Sequence, residues 1–154
     1  MKKIFTAICL LMFAATVNAQ VLTTKNISLD ASKKIADAAV TYAKSVNAPG
    51  GAIAIVDNGG NLVYLIRLDG TFAAASEVAT HKANTSALFK APSSKLENAI
   101  NGGRQALITV GHTFLQGGIP IINEGQVIGA IGVSGSASAQ QDEDIANAGA
   151  KAAL

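Results

Sequence analysis

Residues 51–67 read GAIAIVDNGGNLVYLIR and residues 119–135 read IPIINEGQVIGAIGVSG, and these two stretches decide the fold. In each, an aliphatic run is followed by a turn that combines glycine with Asn, Asp or Glu, and then by a second aliphatic run. A short turn of this composition between two apolar runs returns the chain antiparallel to itself. The sequence therefore predicts two β-hairpins.

Helical patterns precede, separate and follow the hairpins. Ser28 is suited to cap a first helix, which Pro49 ends because the residue before a proline avoids the α conformation. Further helices are predicted over residues 73–89, over residues 94–100 and from about residue 139. Residues 106–114 are ambiguous, since their β-branched side chains favour a strand but a glycine interrupts them.

Four or five strands arranged in hairpins, with helices around them, indicate an α+β domain with an antiparallel sheet. The strands are apolar on both faces, as in residues 53–56 and 128–133. A sheet of this kind needs cover on both sides. We therefore expect a three-layer α/β/α arrangement.

The N-terminus has the pattern of a secretory signal peptide. Two lysines precede an apolar run over residues 4–15 that is too short to span a bilayer, and Val17 and Ala19 suit a cleavage site before Gln20. Residues 1–19 are thus predicted to be removed, which leaves residues 20–154 as one domain in the periplasm or outside the cell.

Removal of this segment changes the charge balance. The full chain has 12 basic and 10 acidic residues, and the signal peptide takes two lysines and no acid. The mature chain is then neutral, so its charge gives no reason to expect nucleic acid or an anionic membrane as a partner. The single cysteine, Cys9, is lost as well, which excludes a disulfide.

Residues 55–63, followed by Arg67, Asp69 and Gly70, resemble the opening signature of the GlcG/HbpS family. Further motifs stand in the order that the family shows: Lys82-Ala83, Phe89, residues 117–121, residues 125–135 and Gln141-Asp142. The resemblance covers nearly all of the mature chain.

This resemblance implies a profilin-like fold with a five-stranded antiparallel sheet between helical layers, and homo-oligomers from dimers to octamers. Some members of the family bind heme, and one extracellular member serves a redox-sensing two-component system. Another is encoded with glycolate utilisation, and heme degradation has been proposed. One departure is Asn61, because many members have histidine directly after the Gly-Gly of the first turn.

If the ligand is heme, iron needs an axial donor, and the mature chain offers His81, His112, Tyr42 and Tyr64. His81 lies one helical turn after Glu77, whose carboxylate could orient the imidazole. His112 stands beside an aromatic residue and flexible glycines. Each histidine also has an ordinary structural explanation, as an exposed helix residue or a partly buried packing residue. Both tyrosines are expected to serve packing.

Arg67, Lys82 and Arg104 are the candidate partners for a heme propionate or another carboxylate. Two simpler interpretations remain open: Arg67 pairs with Asp69 at the exit of the hairpin, and Lys82 is solvated. Residues 142–144 are all acidic, but consecutive helical positions point in different directions, so helix N-terminal charge is their expected role. No nucleophile elbow, phosphate loop or metal-ligand spacing is found.

Three hypotheses follow. The first is an exported, oligomeric protein that binds heme or a related tetrapyrrole without turnover, with His81 or His112 as iron ligand and Arg67 and Lys82 as further contacts. The second is an enzyme or accessory factor for a small carboxylic or hydroxy acid, gathered by Arg67, Lys82 and Ser134. The third is a structural or signalling oligomer without a small ligand.

Overall fold

A computed structural model describes residues 22–152, and the predicted signal peptide lies outside the described residues. No helix in the described part of the chain is both long and apolar enough to cross a membrane. The elements in chain order are α1 (Leu29–Ser45), β1 (Ala52–Asp57), β2 (Leu62–Arg67), α2 (Ala75–Phe89), α3 (Ser93–Asn101), a 3-10 helix (Gln105–Val110), β3 (Gly118–Asn123), β4 (Gln126–Ser134) and α4 (Ala139–Ala150).

Both predicted hairpins are confirmed, and they join into one sheet. The strand order is β2-β1-β4-β3, and every neighbouring pair is antiparallel. Strand β1 lies inside the sheet, where Ile53 is paired with Ile66 on one side and with Val133 on the other. The outer strand of each hairpin forms an edge of the sheet.

Alternate residues of β1 point to opposite faces of the sheet, as the strand period requires. Ile53 and Ile55 belong to the main core, together with side chains of α1 and α4 such as Ile35 and Ile145. Ala52, Ala54 and Val56, on the other face, pack against alanines of α2. The sheet thus lies between α1 and α4 on one face and α2 on the other, so the predicted three-layer arrangement is confirmed.

Glycines in β3 and β4 allow the backbone of α2 to lie directly on the sheet. A Cβ atom at Gly132 would come within 2.1 Å of the Ala79 carbonyl oxygen, and one at Gly118 within 2.3 Å of the Lys82 carbonyl oxygen. Backbone contact this close leaves no room for any side chain larger than hydrogen. These two glycines of β4 and β3 therefore determine how near α2, with the residues it carries, can approach.

The expectation of five strands is wrong for the described residues, because the sheet has four. The ambiguous segment forms the 3-10 helix Gln105–Val110, none of whose side chains is buried. Gly111 then takes the left-handed conformation with φ 77°, which ends the helix. The segment packs against α3 rather than against a strand edge, so its β-branched residues have no ladder partner.

Candidate functional site

Helix α2 carries one wall of the candidate site. His81 and Asn84 are three positions apart, which places them on the same face of a helix. His81 is exposed, and the Asn84 amide donates a hydrogen bond of 3.0 Å to the Gly60 carbonyl in the turn between β1 and β2. Among the described residues, Glu77 makes no ion pair with His81, so its carboxylate does not orient the imidazole.

The opposite wall is the segment after the 3-10 helix, where the chain reverses at Gly111. The His112 ring lies edge-on to Phe89, with ring centres 5.3 Å apart and planes at 85°. Phe114 completes the cluster, 5.6 Å from Phe89 and 6.5 Å from His112. Edge-to-face contacts of this kind favour a defined ring orientation. The imidazole of His112 is therefore half-buried and held by packing.

These two walls enclose a pocket of about 330 Å³, lined by His81, Asn84, Gly111, His112 and Thr113. The chain has two histidines in all, and they lie 31 positions apart in the sequence. The structure brings both to the same pocket, a convergence that sequence reasoning did not anticipate. An imidazole nitrogen is a donor that iron accepts, so the pocket offers two candidate axial ligands.

Lys82, next to His81 on α2, faces the opposite way. Its side chain is 4% exposed, and its ammonium lies 2.9 Å from the Asp142 carboxylate and 2.9 Å from the Val133 carbonyl oxygen. The interpretation of Lys82 as a solvated lysine is wrong, because α2 directs this position into the protein interior. Its hydrogen bonds go to protein groups, and it does not line the histidine pocket.

The sequence indicated a helix-charge role for Asp142 but not its contact with Lys82. Asp142 lies in the first turn of α4, as its expected role in helix charge requires, but it is also buried. One carboxylate oxygen accepts from Lys82, and the other accepts from the Ser136 amide at 3.0 Å and the Ser136 hydroxyl at 2.6 Å. No local pattern could reveal a pair separated by 60 positions.

The two arginines lie away from this pair and from the pocket. Arg67 is exposed on the edge strand β2, opposite Ala52, which pairs on its other side with Ser134. Within residues 22–152 the ion pairs are Lys25–Glu124 and Lys82–Asp142. Arg67 and Asp69 form no ion pair, so the expectation that they pair is wrong. Arg104 is exposed just before the 3-10 helix.

The turn between β1 and β2 is closed by Asp57. Its carboxylate accepts hydrogen bonds from the backbone amides of Gly59 at 2.9 Å and Asn61 at 2.8 Å. The Asn61 side-chain amide contacts the same carboxylate at 3.2 Å. Partial burial raises the pKa of Asp57, but these hydrogen bonds outweigh it and hold the pKa below its ordinary value of 3.8.

The tyrosines confirm their expected role, since Tyr42 and Tyr64 both pack against the main core. Tyr42 also lines a second pocket of about 400 Å³, together with Asp144, Asn147, Ala148 and Lys151. Across the described ranges, no three His, Cys, Asp or Glu side chains are grouped so that they could hold a metal ion.

Comparison with known proteins gives a consistent assignment. The profile of a family described as "Haem degrading protein HbpS-like" matches residues 27–151. Protein GlcG of Escherichia coli K12 is 41% identical over 84 residues, which cover 54% of this chain and 63% of GlcG. The chain thus matches less than two thirds of the length of that relative.

Solved structures show the same fold. A double mutant of HbpS from Streptomyces reticuli superposes with a TM-score of 0.78 at 32% identity, covering 88% of this chain and 92% of HbpS. The structure described as a PduOC:Heme complex has a TM-score of 0.73 at 26% identity, covering 83% of this chain and 95% of the other. The mixed helical and antiparallel-sheet fold is therefore shared with these proteins.

Proposed function

This chain belongs to the HbpS-like family, and from that membership we propose that it binds heme or a related tetrapyrrole at the pocket between His81 and His112. In this proposal the protein is exported, its signal peptide is removed, and it binds the ligand without chemical turnover. The heme that the PduOC structure contains and the description of the family support the choice of ligand.

The observation that carries the proposal is the meeting of two histidines from separate elements. Either residue alone has an ordinary structural explanation, but a shared pocket places two iron donors next to an aromatic cluster. His81 and His112 would supply the nitrogen ligand, and Phe89 and Phe114 would keep the His112 ring in place.

The size of the pocket sets how the ligand would sit. At about 330 Å³ it lies near the small end of the roughly 300–1,000 Å³ range of ligand sites, so it would hold one part of a macrocycle. Large apolar side chains of α2 and of the 3-10 helix that precedes the second wall are exposed and could cover the remainder: Leu88, Ile108 and Val110. None of the lysines and arginines in residues 22–152 lines the pocket, so propionates would point toward solvent.

The carboxylic-acid alternative receives less support from the geometry. Of its three proposed residues, Lys82 has its charge neutralised by Asp142 in the interior. Arg67 and Ser134 lie on strands separated by β1, roughly 10 Å apart at the usual strand spacing. The hydrogen bonds of the described residues connect none of these three side chains to one another, so the geometry gives the acid site less support. The third hypothesis, an oligomer without a small ligand, predicts a defined assembly that responds to neither hemin nor acids.

A hemin titration followed in the Soret region tests the proposal. We expect a sharpened, saturable band at one hemin per subunit, weakened more than about tenfold (1.4 kcal/mol) by His81→Ala or His112→Ala and abolished by the double variant. Tyr42→Phe is the matched control, because it removes a phenolic donor from a different pocket and should leave the titration unchanged.

Two outcomes would contradict the proposal at different points. Unchanged tight binding by the double histidine variant would place the heme site elsewhere. A broad band that does not saturate would remove heme as the ligand. A thermal-shift screen with glycolate and lactate would then test the acid alternative, because a specific ligand must stabilise the native state.

A further inference from the structure

The segment that carries His112 has no regular secondary structure, but side chains from two helices form hydrogen bonds with its backbone. We refer to residues 111–117 as the His112 loop. The Thr85 hydroxyl of α2 donates a hydrogen bond of 2.8 Å to the Thr113 carbonyl. The Ser93 hydroxyl of α3 donates to the Leu115 carbonyl at 2.6 Å and accepts from the Gly118 amide at 2.8 Å.

Among these contacts, the Thr85 bond acts nearest to the histidine. It holds the carbonyl of the residue that directly follows His112, and the Thr85 side chain is fully buried. Thr85 also lies one helical turn after His81, on the same rigid helix. Helix α2 therefore carries His81 of the pocket. Through Thr85, the same helix also holds the His112 loop.

We propose that Thr85 is a positioning residue, whose hydroxyl fixes the His112 loop to α2 and thereby sets the orientation of the His112 imidazole relative to His81. Thr85 does not itself line the pocket. The consequence for ligand binding rests on the proposed function, whereas the effect on the His112 ring does not. Loss of the hydroxyl releases the Thr113 carbonyl and loosens the packing of His112 on Phe89.

Thr85→Val tests this inference, because valine has nearly the same shape but no donor. Thr85→Ser restores the donor. The matched control is Ser86→Ala: Ser86 is the next residue of α2, is equally buried, and donates a comparable bond of 2.7 Å to the Ala91 carbonyl rather than to the His112 loop. All variants are made in the full protein, and folding is checked by thermal unfolding.

The first measurement is the ¹H–¹³C spectrum of the imidazole Cε1–H groups in the ligand-free protein, where the two histidines give two signals assigned with His81→Ala. We expect Thr85→Val to shift or broaden the His112 signal alone, and Thr85→Ser to restore it. Ser86→Ala should leave both signals in place. An unchanged His112 signal in Thr85→Val, or equal changes in Ser86→Ala, would overturn the inference.

The second measurement is hemin binding. Without the Thr85 bond, the His112 loop holds the binding orientation only part of the time, and the apparent Kd rises as that fraction falls. We therefore expect a Kd increase of about fivefold to tenfold in Thr85→Val, with a displaced Soret maximum, and recovery in Thr85→Ser. If the wild-type protein binds no hemin, the proposed function fails, and the imidazole spectrum still decides the role of Thr85. Wild-type-like hemin binding by Thr85→Val, with an unmoved Soret band, would contradict the positioning role.

Discussion

At position 82 a lysine ammonium lies in the protein interior, between α2, the end of β4 and the start of α4. It is paired with Asp142, and both carboxylate oxygens of Asp142 have hydrogen-bond donors. Charges this deeply buried are tolerated only when they are paired and fully hydrogen-bonded. The pair therefore joins the helix that carries His81 to the C-terminal helix.

We expect removal of one partner to be costly. Lys82→Met leaves the Asp142 carboxylate buried without its counter-charge, and it should lower the free energy of unfolding by about 3–5 kcal/mol. The double variant Lys82→Met with Asp142→Leu should be less unstable than the sum of the two single variants. Urea denaturation curves measure both values, and additive effects in this cycle would show that the two charges do not interact.

The two histidines illustrate what single positions can and cannot indicate. The helical position of His81 and the aromatic and glycine neighbours of His112 make each a candidate ligand, and each position is also compatible with a structural role. Their spatial meeting depends on how the 3-10 helix turns back at Gly111 toward α2. That contact spans 31 positions of sequence, so no local pattern contains it.

At the scale of elements, the turn between β1 and β2 connects an acid-sensitive group to the pocket wall. Asp57 closes the turn, and Asn84, which lines the pocket, bonds to Gly60 of the same turn. The pKa of Asp57 is lower in the folded protein than its ordinary value of 3.8. The ionised carboxylate therefore stabilises the fold above that pH, and the stabilisation is lost as the pH falls through the lowered pKa.

This gives a pH-dependent prediction. Asp57→Asn keeps an oxygen acceptor but cannot ionise, so the wild type should have the higher Tm above about pH 4, and the difference should shrink as the pH is lowered below 3.8. Thermal unfolding of both proteins between pH 2.5 and about pH 7 measures the effect. A difference in Tm that stays constant over this range would mean that Asp57 does not titrate in a way that is coupled to folding.

The elements themselves were largely predictable. The helix cap at Ser28, both hairpins and the last helix from Ala139 occur where the patterns placed them. Residues 105–110 were not settled by pattern, because β-branched residues favour a strand only when a neighbouring strand and a face to bury are present. This segment has neither, and all but one of its side chains are exposed.

At the scale of the molecule, the sheet is covered by helices on both faces. The segment before α1 is attached to both hairpins: the Ile27 amide donates to the Ile128 carbonyl, and the Asn58 side chain donates to the Lys25 carbonyl. These two bonds connect the segment before α1 to the sheet.

The export proposal makes its own prediction. Expression of the whole chain in a Gram-negative host should yield a periplasmic protein whose N-terminal residue is Gln20, as determined by mass spectrometry of the intact protein. Ala19→Pro is expected to block processing, because signal peptidase requires a small residue at that position. Val17→Ala is the matched control and should be processed normally. Cytoplasmic protein that retains Met1 would contradict the proposal.

The sequence alone determined the features that depend on near neighbours: the hairpins, the helices with their caps, and the need for helical cover on both faces of the sheet. Their causes, namely residue periodicity, turn chemistry and capping, act within a few positions. The tertiary structure decided the number of strands, the burial of Lys82 against Asp142, and the meeting of His81 with His112. These features depend on contacts between distant segments, which arise only when close backbone packing, as at Gly132, fixes how the layers come together.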